Sequence, residues 1–248
     1  MTAALRIITW NCHSGSVEQR LDDLAEYRPD VVFLQECAPL DRRRRPGLVC
    51  SRRINDRKAV ALFAASDACR CRQLRLLSGS GRAAIGATVV TPVRFTAIGI
   101  WAQKTDYVED VMRTVRAHRD LLRAAPAVVM GDFNSGTSLT RTPRQHGAHR
   151  RLLDEFHDLG LVSAYHAYHG IDHGDEPHAT YFHLYKPDRP WHIDFCFVPQ
   201  AWTPRLANVA VLDGDAWARR SDHRPLLVDV MVGVNPEPRT PNREPVNP

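Results

Sequence analysis

The sequence has no Cys-x-x-Cys pair and no long apolar run. A membrane-spanning helix needs about 18 or more consecutive apolar residues, and no stretch approaches even the length of a secretory signal. The six cysteines are scattered, so we expect free buried thiols rather than a zinc ribbon or a disulfide framework. These absences favour a soluble, cytoplasmic protein without a transmembrane segment, and we expect a monomer.

Lysine is also scarce: of the 33 lysine and arginine residues, only Lys58, Lys104 and Lys186 are lysines. Arginine is the better bidentate ligand for phosphate. The net charge of +5 favours an anionic partner such as nucleic acid or a phosphorylated small molecule. The charge does not distinguish between these two partners, and arginine-rich coding bias explains the composition equally well.

The length of 248 residues and the apolar content of 44% suffice for one large α/β or sandwich domain, or for two small domains. No shift in composition marks a boundary inside the chain. After Val234 the sequence contains five prolines and no apolar period. We therefore predict one domain over residues 1–233, followed by a proline-rich disordered tail over residues 234–248.

The stretch from Val128 to Asn134 carries the strongest chemical signal. Its three apolar residues predict a buried strand, and Gly131 lets the backbone turn sharply at the end of that strand. Asp132 and Asn134 then lie on the same side of the turn. A carboxylate there can take a proton from water while a carboxamide donates a hydrogen bond to developing negative charge. The alternative is a surface turn, which Asp and Asn form for purely local reasons.

The first βα unit ends in a second pair of polar residues. Residues 5–10 predict a strand, Ser16 predicts a helix cap, and residues 31–34 predict a second apolar strand. Because such strands end at one edge of a sheet, Asn11 and Glu36 would lie side by side. A neutral oxygen and a carboxylate suit a hard cation such as Mg²⁺. In isolation, Glu36 would be no more than a solvated residue at a strand end.

Two further motifs lie near the end of the predicted domain. The alternating stretch 191–198 predicts a strand that contains Asp194, and Asp222-His223 precedes a closing strand over residues 226–232. Asp194 is either a polar residue of an edge strand or the group that orients a histidine. Asp222 offers a carboxylate to a metal or water, and the imidazole of His223 can contact a phosphoryl oxygen.

A basic run and a histidine-rich run allow weaker interpretations. Residues 41–58 carry eight basic side chains and predict a loop, either a solvated charge run or a phosphate-binding rim. The spacing of His166, His169 and His173 could place them on one helical face as zinc ligands. Gly170 and Gly174 interrupt any such helix, so we prefer a long loop over residues 170–190 that covers the site.

Five motifs, taken together, resemble the endonuclease/exonuclease/phosphatase superfamily. They are Thr9-Trp10-Asn11, Leu34-Gln35-Glu36, Gly131-Asp132-Phe133-Asn134, His192-Ile193-Asp194 and Ser221-Asp222-His223. Their order and rough spacing resemble the family over about residues 5–231. The family includes pancreatic-type deoxyribonucleases, abasic-site endonucleases, inositol polyphosphate 5-phosphatases and neutral sphingomyelinases. The resemblance implies an α/β fold, a four-layer α/β sandwich with two mixed β-sheets packed face to face and helices outside.

The resemblance also implies roles for individual residues. Asp132 resembles the base that aligns or deprotonates the attacking water, and Asn134 the donor that holds this water and the phosphorane. His223 resembles the phosphate-contacting histidine, paired with Asp194. The implied ligands of Mg²⁺, with Mn²⁺ as an alternative, are Asn11, Glu36 and Asp222. The cation and His223 would neutralise charge that builds on the phosphoryl oxygens.

The sequence departs from the family pattern at two positions. Trp101 ends a strand where many members carry histidine or tyrosine, and an indole N–H is a poor proton source. Proton donation to the leaving group would then pass to metal-bound water or to Tyr107. His13 stands where many nucleases have an aspartate, which changes the surroundings of the metal. We expect Trp101, Tyr107, Thr180 and His192 to contact the substrate.

These observations support three hypotheses of function. The first is a Mg²⁺-dependent phosphodiester hydrolase acting on nucleic acid, an endonuclease or exonuclease. The second is a phosphatase or phosphodiesterase of a small or lipid substrate, such as a phosphoinositide or sphingomyelin, and the third is a catalytically silent binding module. An aromatic surface patch near Trp101, Trp191 and Trp202 would favour a lipid, and a basic groove reaching residues 42–58 would favour nucleic acid.

Overall fold

The computed structural model describes residues 3–40, 46–103, 106–137, 139 and 143–232. The strands are β1 Ala3–Asn11, β2 Val31–Cys37, β3 Leu48–Arg53, β4 Ala59–Ala64, β5 Arg70–Leu74, β6 Ala84–Val90, β7 Arg94–Trp101, β8 Ala127–Asp132, β9 Leu161–Ser163, β10 Tyr181–Phe182, β11 Pro190–Trp191, β12 Asp194–Pro199, β13 Leu206–Val211 and β14 Leu226–Val232. The helices are α1 Val17–Ala25, α2 Tyr107–Ala117, α3 Arg119–Ala124, α4 Pro143–Asp158, α5 Ala164–His169 and α6 Asp215–Ala218. The predicted tail and residues 42–45 of the basic run lie outside the described residues.

Two six-stranded mixed sheets form the centre of the fold. The first has the order β13-β14-β1-β2-β4-β3, and its β1 and β2 are parallel. The second has the order β5-β6-β7-β8-β12-β9, and its β7 and β8 are parallel. A separate hairpin joins β10 to β11. Each parallel pair brings two carboxyl strand ends to one edge of its sheet, which is where a site can form.

The sheets pack face to face through a core drawn from both of them. Ile7 and Phe33 of the first sheet share this core with Val128 and Met130 of the second. The outer face of the first sheet packs against α1, and the outer face of the second against α2 and α4. Apolar side chains thus cover both faces of β8, which explains why its sequence is a continuous apolar run. The predicted four-layer α/β sandwich with two mixed sheets is confirmed.

Strong local patterns set many element boundaries where we expected them. The apolar runs predict strands over residues 59–64, 84–90, 94–101 and 226–232. The strands β4, β6, β7 and β14 begin and end at these residues. The Oγ of Ser16 accepts a hydrogen bond of 3.2 Å from the backbone N–H of Gln19, as a helix cap does. All six cysteines are free. Among the described residues, no helix combines the length and the apolarity that a membrane span requires.

Other element predictions were wrong. Residues 41–58 were expected to form a loop, but β3 lies within them as an edge strand that points Arg52 and Arg53 to solvent. The acidic residues Asp106 and Glu109, with the apolar period that follows them, predict one helix that ends near Pro126, but the structure splits it into α2 and α3 at His118. The ring of His118 accepts a hydrogen bond of 3.0 Å from the backbone N–H of Leu77, and its buried position defines the break.

Candidate active site

Six polar side chains from both sheets meet at one edge of the sandwich. Three follow or end strands of the parallel pairs, and the others come from the start of β12 and from the segment before β14. The two sheets are joined here by hydrogen bonds between side chains that lie more than 100 residues apart in sequence. The six are Asn11, Glu36, Asp132, Asp194, Asp222 and His223.

Asp132 lies at the centre of the site and is buried. Its Oδ2 accepts a hydrogen bond of 2.9 Å from Nδ2 of Asn11, and its Oδ1 accepts one of 2.8 Å from the backbone N–H of Asn134. The side-chain amide of Asn134 also donates to Oδ2 of Asp132 at 3.1 Å and to the carbonyl of Ala102 at 3.2 Å. Asn134 therefore fixes the orientation of the Asp132 carboxylate.

Gly131 is required for Asp132 to reach this position. Its φ is +136°, and a Cβ atom there would lie 1.9 Å from the carbonyl oxygen of Ile100. No other residue can approach β7 so closely without a shift of the backbone. The same close approach places Asp132 opposite Trp101 on one side and opposite Asp194 on the other side in the sheet register.

His223 lies between two carboxylates. Its Nδ1 is 2.8 Å from Oδ2 of Asp194, and its Nε2 is 3.9 Å from Oδ2 of Asp132. Thr180 fixes the backbone of Asp194, because its Oγ1 accepts hydrogen bonds of 3.0 Å from the N–H groups of Ile193 and Asp194. The imidazole therefore has a fixed orientation, with one ring nitrogen on Asp194 and the other directed at Asp132.

The pKa values of this pair follow from burial and from each other. Burial raises the pKa of Asp132 to about 7, with the charge of His223 opposing the shift and that of Asp194 adding to it. Burial alone would lower the pKa of His223, but Asp194 and Asp132 outweigh it and raise this pKa to about 9. At neutral pH the site therefore combines an imidazolium with a carboxyl group whose pKa is close to the value that suits a general base.

We expect Asp194→Asn to lower the pKa of His223, because burial is then opposed only by the charges of Asp132 and Asp222. Since the wild-type pKa of about 9 exceeds the unfolded value of 6.5, the contribution of His223 to stability is complete below pH 6.5 and is lost as the pH rises through 9. The measurement is an NMR titration of the imidazole without metal. An unchanged pKa of His223 would contradict the assigned pairing. The control is Asp229→Asn, because Asp229 lies in the middle of β14 and pairs with Arg6.

The remaining acidic groups, Glu36 and Asp222, lie at one end of the first sheet. Oε1 of Glu36 accepts a hydrogen bond of 3.3 Å from Nδ2 of Asn11, and Lys58 forms an ion pair with Oε2 of Glu36. Nδ1 of His13 lies 3.2 Å from Oδ1 of Asp222, and this buried oxygen has no hydrogen-bond partner. Glu36 has a φ of +58°, an uncommon backbone conformation that is often found at functional sites.

These groups fit a hard divalent cation. Carboxylate and amide oxygens are the ligands that Mg²⁺ and Mn²⁺ prefer. Oδ1 of Asp222 accepts no hydrogen bond, so it could bind such a cation. The carboxylate of Glu36 already binds a positive charge, the ammonium group of Lys58. Asp132, Asp194 and His223 also bring ligand-type atoms within 4.8 Å of one another.

Four residues were expected to contact substrate, and the structure places them differently. Trp101 is adjacent to Asp132, but only 7% of it is exposed and its ring packs in the core between the sheets. Tyr107 opens α2 and is exposed. Thr180 and His192 are buried, and the substrate contact expected of them stays a prediction. Thr180 positions Asp194, and His192 lies among other histidines described below.

The hairpin β10–β11 adds residues that the motifs did not indicate. The ring of Tyr181 packs 4.4 Å from that of His223, measured between centroids, and Trp191 stacks against Tyr181. At the tip, Leu184 and Tyr185 are 62% and 48% exposed, and both have positive φ values. The ring of Tyr185 also contacts His13. Residues 170–190 were expected to form a long loop, whereas Tyr181–Phe182 form β10, and nothing in this stretch indicated contact with His223.

Lys58 is another residue beside the candidate site that the sequence interpretation missed. It appeared only as the last member of a basic run, without a partner. The antiparallel pairing of β3 with β4, together with the turn that joins them, brings it back over the end of β2. Its ammonium group also lies 5.6 Å from the centre of the Trp101 ring, a cation–π contact.

Comparison with known proteins agrees with this geometry. The model of the endonuclease/exonuclease/phosphatase family matches residues 8–223, which include all six site residues. A search of curated proteins finds no match. An AP endonuclease from Archaeoglobus fulgidus has a TM-score of 0.69 at 19% identity, covering 92% of this chain and 99% of that chain.

Two further solved structures come from Neisseria. A variant of the 3′ phosphatase NExo, bound to a product DNA hairpin, has a TM-score of 0.69 at 23% identity and covers 91% of this chain and 99% of that chain. A 3′-5′ exonuclease from Neisseria meningitidis has a TM-score of 0.66 at 21% identity, with coverages of 92% and 100%. At these identities the similarity shows a shared fold.

Proposed function

Because the chain belongs to the endonuclease/exonuclease/phosphatase family, we propose that it is a Mg²⁺-dependent nuclease that hydrolyses the phosphodiester bonds of DNA. Family membership makes it a phosphoesterase, and the substrate and the metal are the proposed part. The observation that carries the proposal is the position of Asp132 and His223, whose Oδ2 and Nε2 atoms lie 3.9 Å apart, beside the carboxylate of Glu36 and the side-chain amide of Asn11. An attacking water and a phosphate fit this combination of base, cation and acid.

In this proposal, Asp132 takes a proton from the attacking water. Asn11 and Asn134 hold its carboxylate in one orientation, so that the base is arranged before the substrate arrives. The imidazolium of His223 faces the phosphoryl oxygens and offsets the negative charge that develops on them. Asp194 keeps the imidazole protonated and prevents its rotation.

Glu36, Asn11 and Asp222 would hold the divalent cation. Bound there, it would neutralise charge on the phosphate and help to orient it. The ion pair of Glu36 with Lys58 would have to open, since one carboxylate oxygen already contacts the ammonium group. Lys58 is then available to contact the phosphate backbone of the substrate, a role suited to a flexible cation.

Nucleic acid is the favoured substrate because of the surface beside His223. Tyr185 and Leu184 are exposed at the tip of the hairpin whose Tyr181 packs against His223, and exposed rings of this kind stack on bases. The lipid alternative called for an aromatic surface patch that included Trp101 and Trp202, but both are buried. A Neisseria enzyme with the same fold is bound to DNA, which also supports this choice.

A panel of substrates with Mg²⁺ or Mn²⁺ tests the proposal. It contains plasmid DNA, single-stranded DNA, abasic DNA, RNA, phosphoinositides, sphingomyelin and bis-nitrophenyl phosphate. We expect metal-dependent cleavage of at least one DNA substrate, abolished by a chelator and by Asp132→Asn. Turnover of a lipid with DNA left intact would replace the proposal with the second hypothesis, and turnover of nothing in the panel would favour the silent binding module.

A further inference from the structure

Three histidines and a glutamate form a second polar cluster, behind β12 and separate from the six site residues. This histidine cluster consists of His166, His173, His192 and Glu176. The rings of His166 and His173 stack with their centroids 3.5 Å apart, and Nε2 of His166 lies 3.0 Å from Oε1 of Glu176. The ring of His192 is 5.7 Å from that of His166.

His166 and His192 are buried, and His173 and Glu176 are partly buried, although all four are polar. The side chain of Glu176 is 2% exposed, and His192 is also 2% exposed. Nδ1 of His173 and Nε2 of His192 are buried and have no hydrogen-bond partner. Buried nitrogen atoms without partners are costly, so their occurrence together requires an explanation.

Hydrogen bonds fix the orientation of two of the rings. The hydroxyl of Ser163 lies 2.7 Å from Nδ1 of His166, while Nε2 of this ring lies 3.0 Å from Oε1 of Glu176 and would give up its proton on binding a metal. Nδ1 of His192 donates to the carbonyl of His178 at 2.9 Å, which leaves a lone pair on its Nε2. Hydrogen bonds of this kind to the second ring nitrogen are typical of histidines that ligate metals.

The charges of the cluster agree with this arrangement. Burial lowers the pKa of His173 to about 3 and that of His192 to about 4, so both imidazoles are neutral at pH 7. Burial would raise the pKa of Glu176, but hydrogen bonds from His166 and from the backbone N–H of Gly174 lower it to about 2. Neutral imidazoles and an ionised carboxylate are the protonation states in which these groups bind a metal.

We propose that the histidine cluster is a second metal site, for Zn²⁺ or a similar transition-metal cation, with His166, His173 and Glu176 as ligands and His192 as the fourth. Imidazole donors select zinc over magnesium. One ligand atom from each of the first three lies within 4.8 Å of the others.

Access and function follow from the surroundings of the site. A cavity of about 400 Å³, lined in part by His166 and His173, provides an entry path for the ion. The cation would tie residues 173–176 to α5 and to the start of β12. Because Thr180 follows in the same segment and fixes Asp194, we expect a structural metal that stabilises the wall of the active site and takes no part in the reaction.

The first test measures zinc content and thermal stability in the full chain without a histidine tag. We expect one Zn²⁺ per chain after equilibration and removal of free metal, and a higher Tm with Zn²⁺ than in a chelator. In His173→Ala and in Glu176→Gln, the bound zinc and the rise in Tm should both disappear. His169→Ala is the matched control. His169 ends α5, the helix that also contains His166, but its ring faces the carbonyl of Val209 and not the cluster.

Cobalt substitution distinguishes the cluster from other ligands. We expect a visible absorption band of four-coordinate Co²⁺ that is lost in Glu176→Gln, a variant that keeps the size of the side chain. No zinc in the wild type, or zinc retained in His173→Ala and Glu176→Gln, would overturn the proposal. A thiolate-to-cobalt band removed by Cys71→Ser would overturn it too, because the Sγ atoms of Cys69 and Cys71 lie 3.5 Å apart. Loss of zinc in Asp132→Asn alone would assign the ion to the catalytic site.

Discussion

Asp132→Asn is expected to lower kcat by about 10²- to 10⁴-fold, the usual contribution of a general base. The carboxamide keeps the size of the side chain but cannot accept the proton of the attacking water. Asn11 and Asn134 each donate a hydrogen bond to an oxygen of Asp132. The carboxamide replaces one of these acceptor oxygens with an NH₂ group, so it also disturbs the hydrogen bonds that hold this side chain. The measurement is the steady-state rate on the best DNA substrate of the panel, with KM determined separately.

A loss of stability must be separated from a loss of chemistry. Asp229→Asn is the matched control, because Asp229 is a buried aspartate in the middle of β14 and forms an ion pair with Arg6. We expect this variant to lower Tm and to keep its kcat at temperatures where it remains folded. If Asp132→Asn retained the wild-type kcat, or if both variants lost activity equally, Asp132 would not be the base.

Glu36→Gln is expected to produce the second large effect, on metal dependence. The substitution removes the carboxylate charge that would bind the cation, so the Mg²⁺ concentration for half-maximal activity should rise by at least about 10- to 100-fold. We also expect kcat to fall by about 10²-fold or more, since less charge is neutralised at the phosphate. The measurements are a Mg²⁺ titration of activity and direct Mn²⁺ binding.

Lys58→Met provides a comparison of opposite sign. It removes the ammonium group that occupies Glu36, so Mn²⁺ should bind more tightly than in the wild type. Glu26→Gln, at an exposed position after α1, should leave the metal dependence unchanged. Identical Mn²⁺ affinities in the wild type, Glu36→Gln and Lys58→Met would remove Glu36 from the metal site.

The sequence predicted those features that have a strong local signal. Residues 59–64 and 84–90 are short apolar runs, and such runs define strands buried within a sandwich. Asn11, Glu36 and Asp132 could be identified because each lies at the carboxyl end of such a strand, and the carboxyl ends of parallel strands meet at one edge. The pairing of Asp132 with Asp194 in the sheet register required the topology, which no local pattern contains.

Features that depend on distant contacts could not be predicted. Edge strand β3 carries arginines on its exposed side, so its composition resembles a loop. The ion pair of Lys58 with Glu36 joins residues that the chain brings together only through β3 and β4. From the sequence we expected Thr180 to contact substrate. Its burial and its hydrogen bond with the backbone of Asp194 arise only in the folded chain, so the sequence alone did not reveal them.

The histidine cluster shows most clearly where helical spacing fails. Counting along a helix selected His166, His169 and His173 together. In the structure, Gly170 has a φ of +65° and ends α5, so the chain turns back and places His173 over the ring of His166. His169 then faces Val209, and Glu176 takes the position that spacing had assigned to a histidine. The glycine that argued against a helix is the residue that permits this arrangement.

The most direct measurement is a crystal structure of Asp132→Asn with Mn²⁺ and a short DNA that contains a phosphorothioate linkage. We predict one Mn²⁺ bonded to Glu36, and a backbone phosphate that contacts both this ion and Nε2 of His223. The base on one side of that phosphate should lie close to Tyr185. A phosphate bound on another face of the sandwich, or Mn²⁺ found only at His173 and Glu176, would contradict the assignment of the active site.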